Sequence, residues 1–301
     1  MSEHRDAGPS GLHPAGPAVA ALGGGHGLSA TLRAARRYAR RITAVVSVAD
    51  DGGSSGRLRD AFGIIAPGDL RKCLVALGEP DGVWSRVMEH RFSAGELEGH
   101  SLGNLVLAGL AEVTGDFAQA LEAAGALVRA VGRIVPATEG PVTLKGVSDL
   151  GEVHGQAAVA RTGRVHTVSV VPPDAPASPR AVEAILEADQ VVLGPGSLYT
   201  SVLAVAAVPD IGEALARSRA LKVYVCNLRP QLPETDGYRL GDHLAALAAH
   251  GVVPDVVVYD PRWMGAPAVR PPRLIEAPVG SEDGTVHDPG RLAAVLADLV
   301  G

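Results

Sequence analysis

Three stretches of the 301-residue chain combine residue types that bind phosphate. The first is "LGGGHGLS", residues 22–29, with Gly23, Gly24, Gly25 and Gly27 packed against the start of an apolar pattern at Leu28, Leu32, Ala35 and Ala39. An apolar run, a tight glycine turn and a helix N-terminus aim unpaired backbone N–H groups and a partial positive charge at an anion. The second, "ADDGGSSGRLRD", sets Asp50 and Asp51 beside the hydroxyls of Ser54 and Ser55 and the forked cations of Arg57 and Arg59. An acidic pair among such donors also suits Mg²⁺ bridging to phosphate oxygens. The third, "LGPGSLYTS", repeats the logic of the first: Gly194 and Gly196 permit close backbone approach, and Ser197, Thr200 and Ser201 carry hydroxyls that can donate to anionic oxygens.

Each stretch has a plainer reading. Gly25, Gly27 and Ala30, followed by Asp50 about twenty residues on, also spell the dinucleotide fingerprint in which an acid binds a ribose hydroxyl. The second stretch reads equally as a polar turn capped by its own aspartates, and a single Gly-Pro-Gly is usually only a turn. Two glycine-hydroxyl loops at one sheet edge point instead to a pyrophosphate, or to a nucleotide with a second anionic group. His100, Ser101 and Asn104 open an apolar helix, where Ser101 is explained as an N-cap and Asn104 is either a ligand contact or a satisfied core amide. Asn227, with Thr235, Asp236 and Tyr238 in "ETDGY", is placed to read a base or sugar. No Ser-His-Asp or Cys-His spacing stands out, and the ten histidines form no metal motif.

The elements that must position these loops alternate between strand and helix. "ITAVVSVAD" (42–50) predicts a buried strand, and "PGDLRKCLVAL" a helix with Asp69 as its N-cap. "SLGNLVLAGLAEVTG" and "DFAQALEAAGALV" predict two more helices, the second capped by Asp116. Between about 131 and 172 the segments become short, β-branched and punctuated by Gly and Pro, which predicts a small antiparallel excursion. Alternation resumes with a helix near 178–188, strand "QVVLG", a helix to Ala220, strand "KVYVCN", helix "GDHLAALAAH" and strand "DVVVYD". That order implies a mostly parallel sheet covered on both faces, with the site at the strand C-termini.

Bulk composition narrows the function classes. With 47% hydrophobic and only 3% aromatic residues, the core must be built mainly of Ala, Val and Leu. A net charge of −6 argues against nucleic acid as a partner. The basic run Arg33, Arg36, Arg37, Arg40 and Arg41 reads as a solvated helix face. Cys73 and Cys226 sit in apolar contexts as reduced core residues. The N-terminus lacks a signal-peptide pattern, and no apolar segment approaches the ~20 residues of a membrane span. Residues 1–16 read as a disordered tail.

Together "GGGHGLS", "VSVADDGGSSGRLRD", "PGDLRKCLVAL", "HSLGNLVLAGL", "TGDFAQAL", "ADQVVLGPGSLYTSVL", "KVYVCNL" and "ETDGY" resemble the YvcK-like gluconeogenesis factor family, from about Val19 to about Asp260. Those are cytosolic bacterial proteins that bind UDP-sugars such as UDP-N-acetylglucosamine and support cell shape and envelope growth under gluconeogenic conditions. The family is in turn similar to 2-phospho-L-lactate transferase, an enzyme of deazaflavin cofactor synthesis that uses a guanine nucleotide. The resemblance implies a nucleotide diphosphate held by the loop from Gly23 through Leu28 and Ser29 and by the loop from Gly194 to Ser201, Tyr199 included. It also implies that Asp50, Asp51 and Asp69 stand where the transferases put metal-binding carboxylates. Three departures are visible: His26 replaces the usual Thr, "NLRPQLPETDGY" carries extra bulk and proline, and residues 261–282 match poorly.

The expected architecture is a single Rossmann-like three-layer α/β/α domain over 17–301, with a small antiparallel β excursion. The expected ligand is a UDP-sugar, with no required cofactor, no nucleic acid, no membrane insertion, and homo-oligomerisation left open. The rival is a metal-dependent transferase of the 2-phospho-L-lactate type, in which Asp50 and Asp69 would hold Mg²⁺.

Overall fold

The computed structural model describes residues 12–265 and 273–301. The first half runs β1 (Ala18–Gly23), α1 (Gly25–Ala35), β2 (Arg41–Val46), α2 (Gly53–Phe62), α3 (Pro67–Leu77), α4 (Val83–Glu89), α5 (Leu102–Thr114), α6 (Phe117–Val128) and β3 (Arg133–Pro136). A smaller unit follows with β4 (Thr143–Ser148), β5 (Gly151–His154), α7 (Gln156–Arg161) and β6 (Val165–Val171). Then come α8 (Pro179–Leu186), β7 (Gln190–Leu193), a π-helix (Leu198–Leu203) running into α9 (Ala204–Ala206), α10 (Pro209–Arg217) and β8 (Leu221–Val225). The chain closes with α11 (Leu240–Ala249), β9 (Val256–Tyr259), β10 (Leu274–Glu276) and α12 (Pro289–Asp298).

Seven strands form one sheet in the order β10-β9-β8-β7-β1-β2-β3, and every pairing in it is parallel. Strand β1, "AVAALG", is buried at all six positions, because helices cover a parallel sheet on both faces. The small sheet is antiparallel, β5-β4-β6. Successive strands run outward from β1 in one direction and from β7 in the other. The order therefore reverses between these neighbours, and the loops after them part to leave a crevice.

Several local expectations need correction. The antiparallel excursion begins later than 131, since β3 pairs parallel with β2 as an edge of the main sheet. Within the excursion, "GQAAVAR" is the helix α7 rather than β structure. The second glycine-serine stretch is not a loop but the helix α2. Its glycines disfavour a helix, yet Gly56 fits only as glycine, because a Cβ there would lie 2.2 Å from the Asp51 carbonyl oxygen. Asp69 is not a cap: Ala66 is the N-cap of α3, Pro67 opens the helix, and Asp69 sits inside its first turn. Asp116 does cap α6, accepting from the Ala118 amide at 2.7 Å.

Of the expected tail, residues 1–11 lie outside the described residues. Leu12 packs on the core, and the His13 amide donates to the Ala39 carbonyl. The basic run is partly absorbed by packing: Arg36 donates to the Ala76 and Gly78 carbonyls at the end of α3, while Arg40 and Arg41 pair with Asp189 and Glu187. Cys73 and Cys226 are buried thiols. Among the described residues no single helix is long and apolar enough to cross a membrane.

Candidate functional site

A cavity of about 670 Å³ opens at the crevice between β1 and β7. Its walls are the N-terminus of α1, the carboxylates of Asp50 and Asp69 with Lys72, one side of α7, the loop after β7, the loop after β8, and residues 284–287.

The α1 wall is built by close approach. Gly25 has φ +65°, a left-handed conformation that favours glycine. A Cβ on Gly27 would lie 2.3 Å from the Pro195 carbonyl oxygen and 2.7 Å from the Gly196 Cα, so the two glycine loops touch backbone to backbone. Thr31, one turn into α1, ties them by donating to the Gly194 carbonyl at 2.6 Å. The first amides of α1 have no partner inside their own helix, and among the described residues no side chain caps them. Lys72 reaches this helix end and pairs with Asp69 Oδ1 at 3.0 Å.

Asp50 lies at the same end, accepting from the Gly52 amide at 3.0 Å. Burial pushes its carboxyl above the usual range, and the neighbouring charge of Asp69 pushes it further, against the Gly52 amide, the Ser55 hydroxyl and Lys72. His26, on the first turn of α1, is pushed down by partial burial and by Lys72. Among the described residues no three His, Cys, Asp or Glu side chains gather as a metal cluster. Two carboxylates are nonetheless what Mg²⁺ takes from a protein when substrate phosphates and water complete its shell. Asp50 and Asp69 fit that donor set.

The third stretch is a loop only as far as Ser197, because Leu198–Leu203 is already the π-helix, and it is organised by a residue that its own sequence does not reveal. Glu234 is buried, and its Oε1 accepts from the Tyr199 and Thr200 amides at 2.8 and 2.9 Å. Burial raises its carboxyl, and those amides with the Thr200 and Ser197 hydroxyls oppose the rise. The Gly196 amide is likewise used, donating to Asn227 Oδ1 at 3.0 Å.

Ten of the sequence-derived candidates line the cavity: Gly24, Gly25, Gly27, Asp50, Asp69, Gly196, Ser197, Thr200, Ser201 and Asn227. The others stand behind it or away from it. Gly23 ends β1 and Gly194 follows β7, Leu28 is core, and Ser29 donates to the Gly25 carbonyl. Asp51 accepts from the Ala157 amide and so holds α7 against the site. Ser55 supports Asp50, whereas Ser54 faces His100 and accepts from Asn104 Nδ2. Asn104 proves to be the satisfied core amide, its Oδ1 also accepting from Arg71 Nε at 3.0 Å. Arg57 is exposed and donates to the Glu98 carbonyl. Tyr199 turns its hydroxyl to Tyr238, and Asp236 is exposed outside the cavity.

Sequence reasoning missed Lys72, Gln156, Glu234 and the 284–287 segment. Only Lys72 carried a signal, since "DLRK" places it one helical turn after Asp69. The 284–287 segment lines the cavity directly, and beside it the Arg229 guanidinium lies 4.4 Å over the Trp263 ring and donates to the Asp283 carbonyl.

Comparison with known proteins agrees with this architecture. The family model described as 2-phospho-L-lactate transferase CofD matches residues 19–270. The gluconeogenesis factor of Halalkalibacterium halodurans is 44% identical over 80% of this chain and 77% of its own length. A putative gluconeogenesis factor of Mycobacterium tuberculosis is 43% identical over 92% of this chain and 89% of its own length. The chain spans only about half (52%) of a longer Nostoc relative of the same name, to which it is 43% identical. A crystal structure of a UPF0052 family member from Bacillus halodurans superposes with a TM-score of 0.85 at 36% identity, covering 96% of this chain and 99% of that one. The glycine loops, the reversal of strand order between β1 and β7 and the extent of these matches lead to one assignment: the chain belongs to the CofD family, among its gluconeogenesis-factor members.

Proposed function

We propose that the cavity binds a nucleotide diphosphate sugar of the UDP-N-acetylglucosamine class, and that the protein is a binding factor linking gluconeogenic carbon supply to cell shape and envelope synthesis. The observation that carries the reading is the uncapped N-terminus of α1 beside Lys72 at the strand-order reversal, where a diphosphate meets both free amides and a cation. The cavity volume falls in the range of small-molecule sites. The names of the relatives support the metabolic setting.

A thermal-unfolding panel of UDP-N-acetylglucosamine, UDP, GDP, NAD and NADP tests it. A ligand at a hundred times its Kd adds about 2.7 kcal/mol of stability, and the UDP-sugar is expected to give the largest upward shift. Equal or greater stabilisation by NAD sinks the proposal in favour of the dinucleotide fingerprint.

The pairing of Asp50 with Asp69 favours a second reading, transfer assisted by Mg²⁺. The ion would supply charge neutralisation of the phosphates. Asp69→Asn separates the two. For a binding factor the variant keeps UDP-sugar affinity within about tenfold, since the change removes one negative charge beside the phosphates and leaves Lys72 free. Acceptor-dependent release of UMP, UDP or GMP by the unmodified protein with Mg²⁺, lost in the variant, establishes the transferase instead.

A further inference from the structure

His287 lines the cavity while only 8% exposed. Its Nε2 lies 3.1 Å from the Cys226 carbonyl, which can only accept, so that nitrogen carries the ring proton and Nδ1 is left with a lone pair. Burial, which pushes the ring down to about 4, keeps Nδ1 unprotonated at neutral pH. Among the described residues Nδ1 has no partner, and the unpaired side-chain atoms sealed from solvent are Arg59 Nη1, His243 Nε2 and Trp263 Nε1. The opening left to His287 Nδ1 is the cavity that the residue lines.

The turn that carries the ring is braced from within. Asp283 accepts from the Ser281 hydroxyl at 2.6 Å and from the Thr285 amide and hydroxyl at 3.1 and 2.8 Å, and Gly280 bridges to His287 across the turn. A fixed acceptor selects a donor, whereas a phosphate oxygen would set lone pair against lone pair.

The sheet order says which part of a nucleotide sugar meets it. Cys226 follows β8, two strands from β1 and hence about 10 Å across the sheet from the loop that leads into α1. On the other flank of β1 stands β2, followed by Asp50, and a glycosyl ring rimmed with hydroxyls finds acceptors there in the Asp50 and Asp69 carboxylates. Near His287 the lining includes Leu228, Pro230 and Val286, which suit the flat apolar faces of a base that carries an N–H at its edge.

We propose that His287 Nδ1 reads the base of the ligand by accepting the imide N–H of a uracil ring, with the phosphates at the α1 amides and Lys72. This rests on the nucleotide-sugar reading and assigns the base end of that same site.

Calorimetric titrations with UDP, UDP methylated at uracil N3 and UDP-N-acetylglucosamine test it. Wild type is expected to bind UDP about tenfold more tightly than the methylated analogue. His287→Gln keeps a donor that can reach the Cys226 carbonyl and removes the Nδ1 acceptor. It is expected to lose about tenfold toward UDP and UDP-N-acetylglucosamine alike and to bind the methylated analogue within about twofold of wild type, so the discrimination disappears. In the ¹⁵N-labelled wild-type protein, which depends on no variant folding, the His287 Nδ1 resonance should shift on addition of UDP and stay in place with the methylated analogue.

A wild-type protein that binds UDP and its methylated form equally overturns the base assignment and leaves the nucleotide reading standing. So does a His287→Gln variant that loses both to the same extent, or one that loses affinity only for UDP-N-acetylglucosamine, which would move the contact to the glycosyl ring. A wild-type protein that binds none of the three overturns the nucleotide reading itself.

Discussion

Acidification from pH 7 to about pH 4 is expected to cost the protein several kcal/mol, chiefly through two buried histidines. His243 and His287 are both pushed down to about 4, in each case mainly by burial. His243 bonds to the Tyr224 hydroxyl through Nδ1, and its Nε2 has no partner among the described residues, so the charged ring, with a proton on both nitrogens, would bury an N–H without an acceptor. His287 has its Nε2 at the Cys226 carbonyl, which opposes the shift without cancelling it.

In the unfolded chain both rings titrate near 6.5. Between about pH 6.5 and 4 the unfolded state therefore binds more protons than the folded one, and stability falls as pH falls through that window. A displacement of about 2.5 pH units corresponds to about 3 kcal/mol per ring. Asp50 and Glu234, both raised by burial, titrate in the opposite sense and offset part of the loss. Urea unfolding at pH 7 and pH 4.5 measures the drop, and His243→Phe should roughly halve it. A variant with the wild-type pH slope shows that the ring is not held neutral by burial.

The second large effect is expected at Gly27. Replacement by alanine places a carbon against the backbone of Pro195 and Gly196, where no flexible side chain can give way. The loops after β1 and β7 must separate, with loss of about 1–3 kcal/mol, typical of overpacking, and with loss of the stabilisation that a UDP-sugar confers. Gly109 is the control: it lies on the exposed face of α5 with nothing near its Cβ position. Alanine there should raise stability by about 0.5–1 kcal/mol and leave ligand response intact. Comparable ligand-induced shifts in Gly27→Ala and wild type would show that the contact of the two loops does not shape the site.

The site was legible where its chemistry is local. A glycine turn after an apolar run and before a helical pattern specifies backbone N–H groups at a strand end, and "GGGHGLS" and "LGPGSLYTS" gave up their positions at the cavity for that reason. Alternation of strand and helix determined a parallel sheet, because parallel neighbours need a crossover between them. Asp116 capped its helix as read, since a cap spans only a few residues.

What tertiary structure decided is everything that depends on partners far apart in the chain. Whether Asn104 met a ligand or the core turned on Arg71 and Ser54, which lie 33 and 50 residues away. "GGSSGRLRD" became the helix α2 against its propensity, because packing outweighs the few tenths to one kcal/mol per residue that propensity supplies. "GRIVPAT" joined the main sheet rather than the excursion through its register with β2. The Tyr199 and Thr200 amides were taken up by Glu234, more than thirty residues downstream. Sequence alone determined which glycine-rich stretches come to the cavity; only the folded chain decided which of their donors were already spent, because hydrogen bonds between distant residues form only once the chain has brought them together.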